Sequence, residues 1–295
     1  MTSTLPVTSA GQQPVMDRVG ALTQSQQTAL LERLRRRRAT AVPPPQWVLP
    51  SPARPSAKLR LFCFSYAGGG ASMFRSWTRS LPAEVEVCAI QLPGRETRMS
   101  EPAHRRLGPL VDALAEQVLP LLDRPYAFFG HSMGALVAFE LARELRRVAA
   151  AGPERLLLAA YRAPHLPNPN IRIHHLPDEV LKIVLQNEGT AQSVLQNEEL
   201  MKVVLPTLRA DFELCDTHEH VTDAPFECPV SIFGGVDDIR VRPADLEGWR
   251  CQAAGEFSVE MFPGAHFFLH SAHVPLLAAV DRRLRTHLTP SSRGR

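Results

Sequence analysis

The segment from residue 126 to residue 145 constrains the fold more than any other part of this chain. The apolar run Tyr126-Ala127-Phe128-Phe129 leads into Gly130-His131-Ser132-Met133-Gly134, and an apolar-periodic stretch runs from Ala135 to Leu145. This order predicts a buried strand, a sharp turn and a helix. A G-x-S-x-G pentapeptide between a strand and a helix is typical of a nucleophile elbow, in which glycines let the backbone turn tightly enough to expose the serine hydroxyl. Ser132 is therefore the candidate nucleophile, and a chance match in a glycine-containing turn is the weaker interpretation.

A carboxylate follows a later strand, as this type of elbow requires. The apolar run Val230 to Phe233 predicts a buried strand, and the turn Gly234 to Asp238 comes directly after it. We assign Asp238 as the acid because it lies three residues beyond Gly235. The assignment rests on spacing alone, and Asp237 is the alternative.

The candidate base is His266, which follows the predicted strand Ser258 to Phe262 through a short Pro-Gly-Ala turn. In this arrangement His266 takes the proton of Ser132 during attack, and Asp238 fixes the imidazole tautomer. The side chain of His131 is expected to point away from the serine, because neighbours on a tight turn diverge. The remaining histidines lie outside any motif with metal-ligand spacing, so the sequence predicts no metal site.

Two backbone N–H groups are needed to stabilise the oxyanion of such a hydrolase. The first belongs to Met133, the residue after the nucleophile. The second is expected in the loop Ser65 to Gly70, which follows the predicted strand Leu59 to Phe64, and we choose Ala67. The glycines of this loop match neither G-x-G-x-x-G nor a Walker motif, which argues against nucleotide binding. No cofactor is predicted.

Strand-like runs alternate with helix-period segments through the body of the chain. The strand-like runs are residues 59–64, 85–92, 126–129, 156–160, 230–233 and 259–262, and the helical segments include residues 107–122, 135–145 and 274–288. This alternation predicts an α/β domain over residues 59–290, with a mostly parallel sheet and helices on both faces.

Residues 166–221 interrupt the alternation and are interpreted as a helical lid over the site. They contain two helical patterns, around Asp178 to Asn187 and Glu198 to Leu214, without a convincing strand. The apolar positions of these helices either line an acyl pocket or pack helix against helix, and periodicity does not distinguish the two.

Several further motifs occur in a fixed order around the elbow. They are Ala67-Gly68-Gly69-Gly70-Ala71 with Trp77 downstream, Gln91-Leu92-Pro93-Gly94-Arg95-Glu96, Arg162-Ala163-Pro164-His165-Leu166, Leu205-Pro206-Thr207-Leu208-Arg209-Ala210-Asp211 and Pro263-Gly264-Ala265-His266-Phe267-Phe268. Together with the elbow, they make residues 61–287 resemble the type II thioesterases that accompany modular polyketide and nonribosomal peptide synthases. Ser65 stands where that family commonly has proline, and Tyr161 stands where a small residue is usual.

The resemblance implies an α/β-hydrolase fold and a carrier-protein partner. That partner is an acyl carrier protein or a peptidyl carrier protein, whose phosphopantetheine arm carries the acyl chain to be hydrolysed. The implied role is removal of stalled or aberrant chains. The resemblance also implies a triad of Ser132, Asp238 and His266, with Met133 and Ala67 as oxyanion donors. Alternatives are a chain-releasing terminal thioesterase, an acyl-ester hydrolase of the same fold, and a non-catalytic synthase adaptor.

The first 58 residues differ in character from the rest. They are predicted to form a short basic helix ending at Arg35-Arg36-Arg37-Arg38 and a flexible proline-rich linker. Residues 1–58 hold eight basic and two acidic residues, a net charge of +6, whereas the whole chain carries +3. The basic charge thus belongs to this segment, and no nucleic-acid partner is predicted. The basic helix either docks an acidic partner or is an ordinary solvent-exposed helix without a partner, and the sequence does not distinguish the two.

The chain shows no sequence sign of a membrane protein. It has no long apolar run of about 18 residues, and Met1 to Ala10 lack the pattern of a signal peptide. A cytoplasmic protein without a membrane partner is expected. The five cysteines lack C-x-x-C spacing, so reduced thiols are expected. Residues 291–295 are expected to form a short tail.

Overall fold

The computed structural model describes residues 47–49, 54–148, 150–169, 171–187 and 198–288. The predicted basic helix and the 291–295 tail lie outside the described residues. Part of the predicted linker is described, and it packs against the sheet domain. Val48 forms an antiparallel bridge with Ile90, and buried Trp47 lies under the guanidinium of Arg98, 4.1 Å from ring centroid to Cζ.

One sheet of parallel strands forms the centre of the described molecule. Its strands are β1 (Leu59–Phe64), β2 (Val85–Ala89), β3 (Tyr126–His131), β4 (Arg155–Ala159), β5 (Val230–Gly235) and β6 (Phe257–Phe262). They lie in the order β2-β1-β3-β4-β5-β6, and every neighbouring pair is parallel. The prediction of a mostly parallel sheet is confirmed. β2 ends at Ala89, before its predicted limit. Ile90 still donates to the oxygen of Cys63 in β1, and it also pairs with Val48.

Helices cover both faces of this sheet. They are α1 (Trp77–Ser80), α2 (Leu107–Val118), α3 (Met133–Arg147), α4 (Asp178–Asn187), α5 (Glu198–Asp216), α6 (Pro243–Glu247), α7 (Phe268–Ser271) and α8 (His273–Leu288). Alternate side chains of a strand enter opposite cores: Phe62 and Phe128 pack with α2 and α3, whereas Leu61 and Phe129 pack with α1 and α8. This period of two is what a sheet buried on both faces requires.

The strand order opens a crevice at one edge of the sheet. From β1 the chain moves outward to β2, and it then crosses back so that β3 lies on the other side of β1. Loops that follow β1 and β3 therefore diverge at the carboxyl ends of these strands, which is where ligands bind in open α/β sheets. The loop after β1 and the elbow after β3 both lie at this edge.

The described part of residues 166–221 contains α4 and α5. Their apolar side chains form a small core of their own, made of Ile173, Leu181, Leu185, Met201, Leu205, Leu208 and Phe212. These buried side chains therefore pack helix against helix. None of the described helices is both long and apolar enough to span a membrane.

His131, the last residue of β3, links this strand to the loop after β6. Its imidazole is fully buried, and Nε2 lies 2.8 Å from the backbone oxygen of His266. Because a carbonyl oxygen only accepts, Nε2 carries the proton and donates it. Burial, reinforced by the neighbouring His266 and His270, lowers the pKa of His131 well below its ordinary value of 6.5. The side chain thus binds the histidine loop instead of the Ser132 hydroxyl.

We expect the free energy of unfolding to fall as the pH drops below 6.5, partly because of His131. The unfolded chain takes up a proton that the buried imidazole excludes, which costs up to about 1.4 kcal/mol per pH unit. Chemical denaturation from pH 7 to pH 5 should therefore give a shallower slope for His131→Gln than for the wild type. The exposed His175→Gln is the control and should keep the wild-type slope. An unchanged slope in His131→Gln would contradict a neutral His131.

Candidate active site

Ser132 occupies the sharp turn between β3 and α3. Its backbone is held at φ 55° and ψ −121°, a region that residues with side chains rarely adopt. Two hydrogen bonds maintain this conformation: the Ser132 N–H donates to the oxygen of Ala159 at 2.8 Å, and the Ser132 carbonyl accepts from Ala135 N–H at 2.8 Å. The turn directs the serine away from both flanking elements, as an elbow requires.

The two glycines of the pentapeptide are required by close backbone contacts. A Cβ at Gly130 would lie 2.2 Å from the carbonyl oxygen of Gly134, and a Cβ at Gly134 would lie 2.2 Å from that of Phe64. Backbone atoms block both positions, so no side-chain rearrangement can create the space. The pattern around Ser132 therefore reflects how tightly α3 packs against β1 and β3.

Ser132, His266 and Asp238 form a continuous chain of hydrogen bonds. Ser132 Oγ lies 2.9 Å from His266 Nε2, and His266 Nδ1 lies 2.8 Å from Asp238 Oδ2. Since a carboxylate accepts, Nδ1 carries the proton and Nε2 presents its lone pair to the serine hydroxyl. The histidine and aspartate side chains are 8% and 1% exposed, which shields this arrangement from water.

Backbone groups orient the carboxylate of Asp238. Its second oxygen, Oδ1, accepts hydrogen bonds from the N–H groups of Arg240 at 2.9 Å and Val241 at 3.2 Å. The side chain of Asp237 is exposed instead, while its backbone N–H donates to the oxygen of Gly264 at 3.0 Å. The structure thus places Asp238, and not Asp237, beside His266.

The turn that carries the acid packs directly against the loop that carries the histidine. A Cβ at Gly235 would lie 2.5 Å from the carbonyl oxygens of both Gly264 and Ala265. Glycine at position 235 therefore allows the two loops to approach closely. This contact helps to set the distance between Asp238 and His266.

Ala67 and Met133 share a cavity with Ser132 and His266. Met133 is the first residue of α3, where N–H groups have no partner within the helix and the helix dipole favours negative charge. Ala67 lies in the loop after β1, opposite the elbow. Both predicted donors therefore border the space in which a carbonyl oxygen near Ser132 would lie.

The cavity has a volume of about 70 Å³ and is lined partly by side chains of residues 166–221. Besides the residues above, it is lined by Ala160, Tyr161, Arg162, Asn168, Ile171, Phe212, Cys215, Asp216, Arg240 and Val241. Burial raises the pKa of the Tyr161 hydroxyl and of the Cys215 thiol, so both groups are neutral. Tyr161, one of the two departures from the family pattern named in the sequence analysis, lines this cavity. In the described residues no group of histidine, cysteine, aspartate and glutamate is arranged to hold a metal ion.

Side chains that the sequence left without a role fasten the loop after β1. Gln91 accepts from the N–H of Ala71 at 3.0 Å, Glu96 accepts from that of Ser72 at 3.2 Å, and Asp211 accepts from that of Gly68 at 2.7 Å. Gln91 and Asp211 are almost completely buried. Buried polar side chains need hydrogen-bond partners. In the sequence, Asp211 stands out as a charged residue on an apolar helix face, and that pattern could have predicted a buried carboxylate with a partner.

Comparison with known proteins agrees with this architecture. The family model described as the thioesterase domain matches residues 59–284. The gramicidin S biosynthesis protein GrsT of Aneurinibacillus migulanus is 45% identical over 83% of this chain and 96% of its own length.

Two solved structures are similar over most of the chain. RedJ, a thioesterase from the prodiginine biosynthetic pathway in Streptomyces coelicolor, has a TM-score of 0.74 and 36% identity, covering 82% of this chain and 96% of its own. The type II thioesterase BorB from the borrelidin biosynthetic cluster has a TM-score of 0.74 and 32% identity, covering 81% and 97%. This chain belongs to the thioesterase family, whose members hydrolyse thioesters, and its relatives include type II thioesterases.

Proposed function

We propose that this protein hydrolyses acyl chains from the phosphopantetheine arm of carrier proteins and so removes stalled or aberrant intermediates. The substrate is bound to an acyl carrier protein or a peptidyl carrier protein of a polyketide or nonribosomal peptide synthase. The observation that carries the proposal is the hydrogen-bonded chain of Ser132, His266 and Asp238 at a partly enclosed cavity. Relatives named for the borrelidin cluster and for gramicidin S biosynthesis support the substrate class.

The reaction proceeds through an acyl-enzyme. His266 Nε2 takes the proton of Ser132 as Oγ attacks the thioester carbonyl, and the N–H groups of Met133 and Ala67 stabilise the oxyanion. The carrier thiol then leaves with a proton from His266. Water attacks the acyl-serine with His266 as the base, which releases the acid and restores the hydroxyl of Ser132. Asp238 stabilises the imidazolium at both stages.

Features of the site support removal of stalled acyl chains over the alternative functions. An aligned serine, histidine and aspartate support an enzyme over a non-catalytic adaptor. The small volume of the cavity, about 70 Å³, supports hydrolysis of short acyl groups over release of a full-length product. A thioester also suits this site because a thiolate is a good leaving group and needs little acid assistance.

We expect the protein to deacylate carrier proteins faster than it cleaves oxygen esters of the same acids. The test is intact-protein mass spectrometry of carrier proteins loaded with a series of acyl groups, with matching oxygen esters assayed in parallel. Ser132→Ala is the control and should leave every acylated carrier intact. A clear preference for free oxygen esters would contradict the proposal, as would undiminished deacylation by Ser132→Ala.

Asp238→Asn should lower kcat by roughly 10⁴-fold, as loss of the correct histidine tautomer does in serine proteases. Because two backbone N–H groups hold Oδ1, the amide oxygen of the new asparagine remains there and its NH₂ group faces His266. That group donates to Nδ1, which moves the ring proton to Nε2 and removes the acceptor for the serine proton. The matched control Asp237→Asn should keep wild-type kcat, and the reverse ranking in steady-state kinetics would show that Asp237 is the acid.

A further inference from the structure

The lid helix α5 holds the loop that carries the second oxyanion donor. Asp211, in the middle of α5, accepts a hydrogen bond from the backbone N–H of Gly68 at 2.7 Å. Gly68 follows Ala67 directly in the chain. The carboxylate of Asp211 is only 2% exposed, so water does not compete for this bond.

A buried arginine completes this connection. The guanidinium of Arg95 donates to both oxygens of Asp211, from Nη1 to Oδ2 at 2.8 Å and from Nη2 to Oδ1 at 2.7 Å. Nη1 also donates to the carbonyl oxygen of Gly69 at 3.3 Å. Arg95 therefore donates a hydrogen bond to the loop at Gly69, and Asp211 accepts one from the loop at Gly68. A bidentate pair fixes the orientation of the carboxylate as well as its distance.

Packing strengthens the contact between α5 and this loop. Gly68 has a φ of +75°, and a Cβ there would lie 2.6 Å from the side chain of Leu208, which is one turn before Asp211 on the same helix. The side chain of Ala67 also packs against the apolar cluster of the lid. Any displacement of α5 must therefore displace the loop or break its hydrogen bond with Gly68.

We infer that Asp211 is a positioning residue that couples the lid to the oxyanion hole. Paired with Arg95, it fixes the loop so that the N–H of Ala67 faces the oxygen that becomes negative during attack by Ser132. The inference rests on the proposed function for the identity of the reacting carbonyl. A buried ion pair adds little stability on average, whereas a positioned donor adds directly to catalysis.

This coupling predicts that variants of Asp211 change kcat and not KM. A preorganised oxyanion donor acts mainly on the transition state, so its displacement lowers kcat and changes KM little. Misplacing such a group by about 1 Å costs up to about 100-fold in rate. A residue that only stabilised the fold would lower the melting temperature and leave kcat of the folded enzyme unchanged.

The experiment compares two neighbouring carboxylates on α5. Asp211→Ala removes the oxygen that accepts from the N–H of Gly68, and the double variant Arg95→Gln/Asp211→Ala also removes the positive charge so that no unpaired arginine stays buried. Glu213→Ala is the matched control, because Glu213 is also a largely buried carboxylate with arginine partners, Arg105 and Arg106. Those partners precede α2 and do not belong to the loop after β1. Thermal unfolding shows that each variant is folded.

Two readouts are measured on each folded variant: kcat and KM on acylated carrier protein, and the affinity of an alkyl boronic acid that forms a tetrahedral adduct with Ser132. Both Asp211 variants should lose about 10-fold to 100-fold in kcat at nearly constant KM, with a parallel loss of boronate affinity. Glu213→Ala should match the wild type in both.

The inference is overturned if the folded Asp211 variants keep wild-type kcat and boronate affinity, or if Glu213→Ala loses as much as they do. A rise in KM alone would also overturn it, because it would assign Asp211 to substrate binding. Boronate affinity is measured without a carrier protein, so it does not depend on the proposed substrate. If the wild type fails to deacylate carriers, the proposed function is wrong, and the boronate affinities still decide the role of Asp211.

Discussion

The close approach of α3 to the strands beneath it is the constraint on which the site depends. Backbone oxygens of Phe64 and Gly134 occupy the space that side chains at positions 134 and 130 would need. The turn between them can close only with glycine at both positions, and it forces Ser132 to a positive φ. The same turn sets the serine at the start of a helix, where unpaired N–H groups favour an oxyanion.

Three loops converge on this serine, and each is held by contacts outside the reacting groups. His131 binds the backbone of His266, and Gly235 lets the acid turn touch the histidine loop. The loop after β1 is bound by side chains from the segment after β2 and from α5. The geometry at Ser132 therefore depends on the packing of the whole carboxyl edge of the sheet, which gives catalytic groups a rigid frame.

Local patterns in the sequence predicted the fold and the neighbourhood of the site, while contacts between distant segments were beyond their reach. Strand and helix periodicity identified the parallel sheet, and the pentapeptide placed Ser132 on its turn. Spacing could only rank Asp238 above Asp237 as the acid. Which carboxylate reaches His266 depends on how the folded turn holds it, and two backbone N–H groups hold that of Asp238. The pairing of Arg95 with Asp211 spans 116 residues, and only the docking of α5 brings the two together.

We propose that Ser132 forms a covalent acyl intermediate during hydrolysis of a carrier-bound thioester. Rapid acid quenching of a single turnover, followed by proteolysis and peptide mass spectrometry, measures this directly. We expect the peptide that contains Ser132 to carry the added mass of the acyl group, which should appear and decay at rates that match carrier deacylation. Turnover without an acylated peptide, or an acyl group on a different residue, would contradict it.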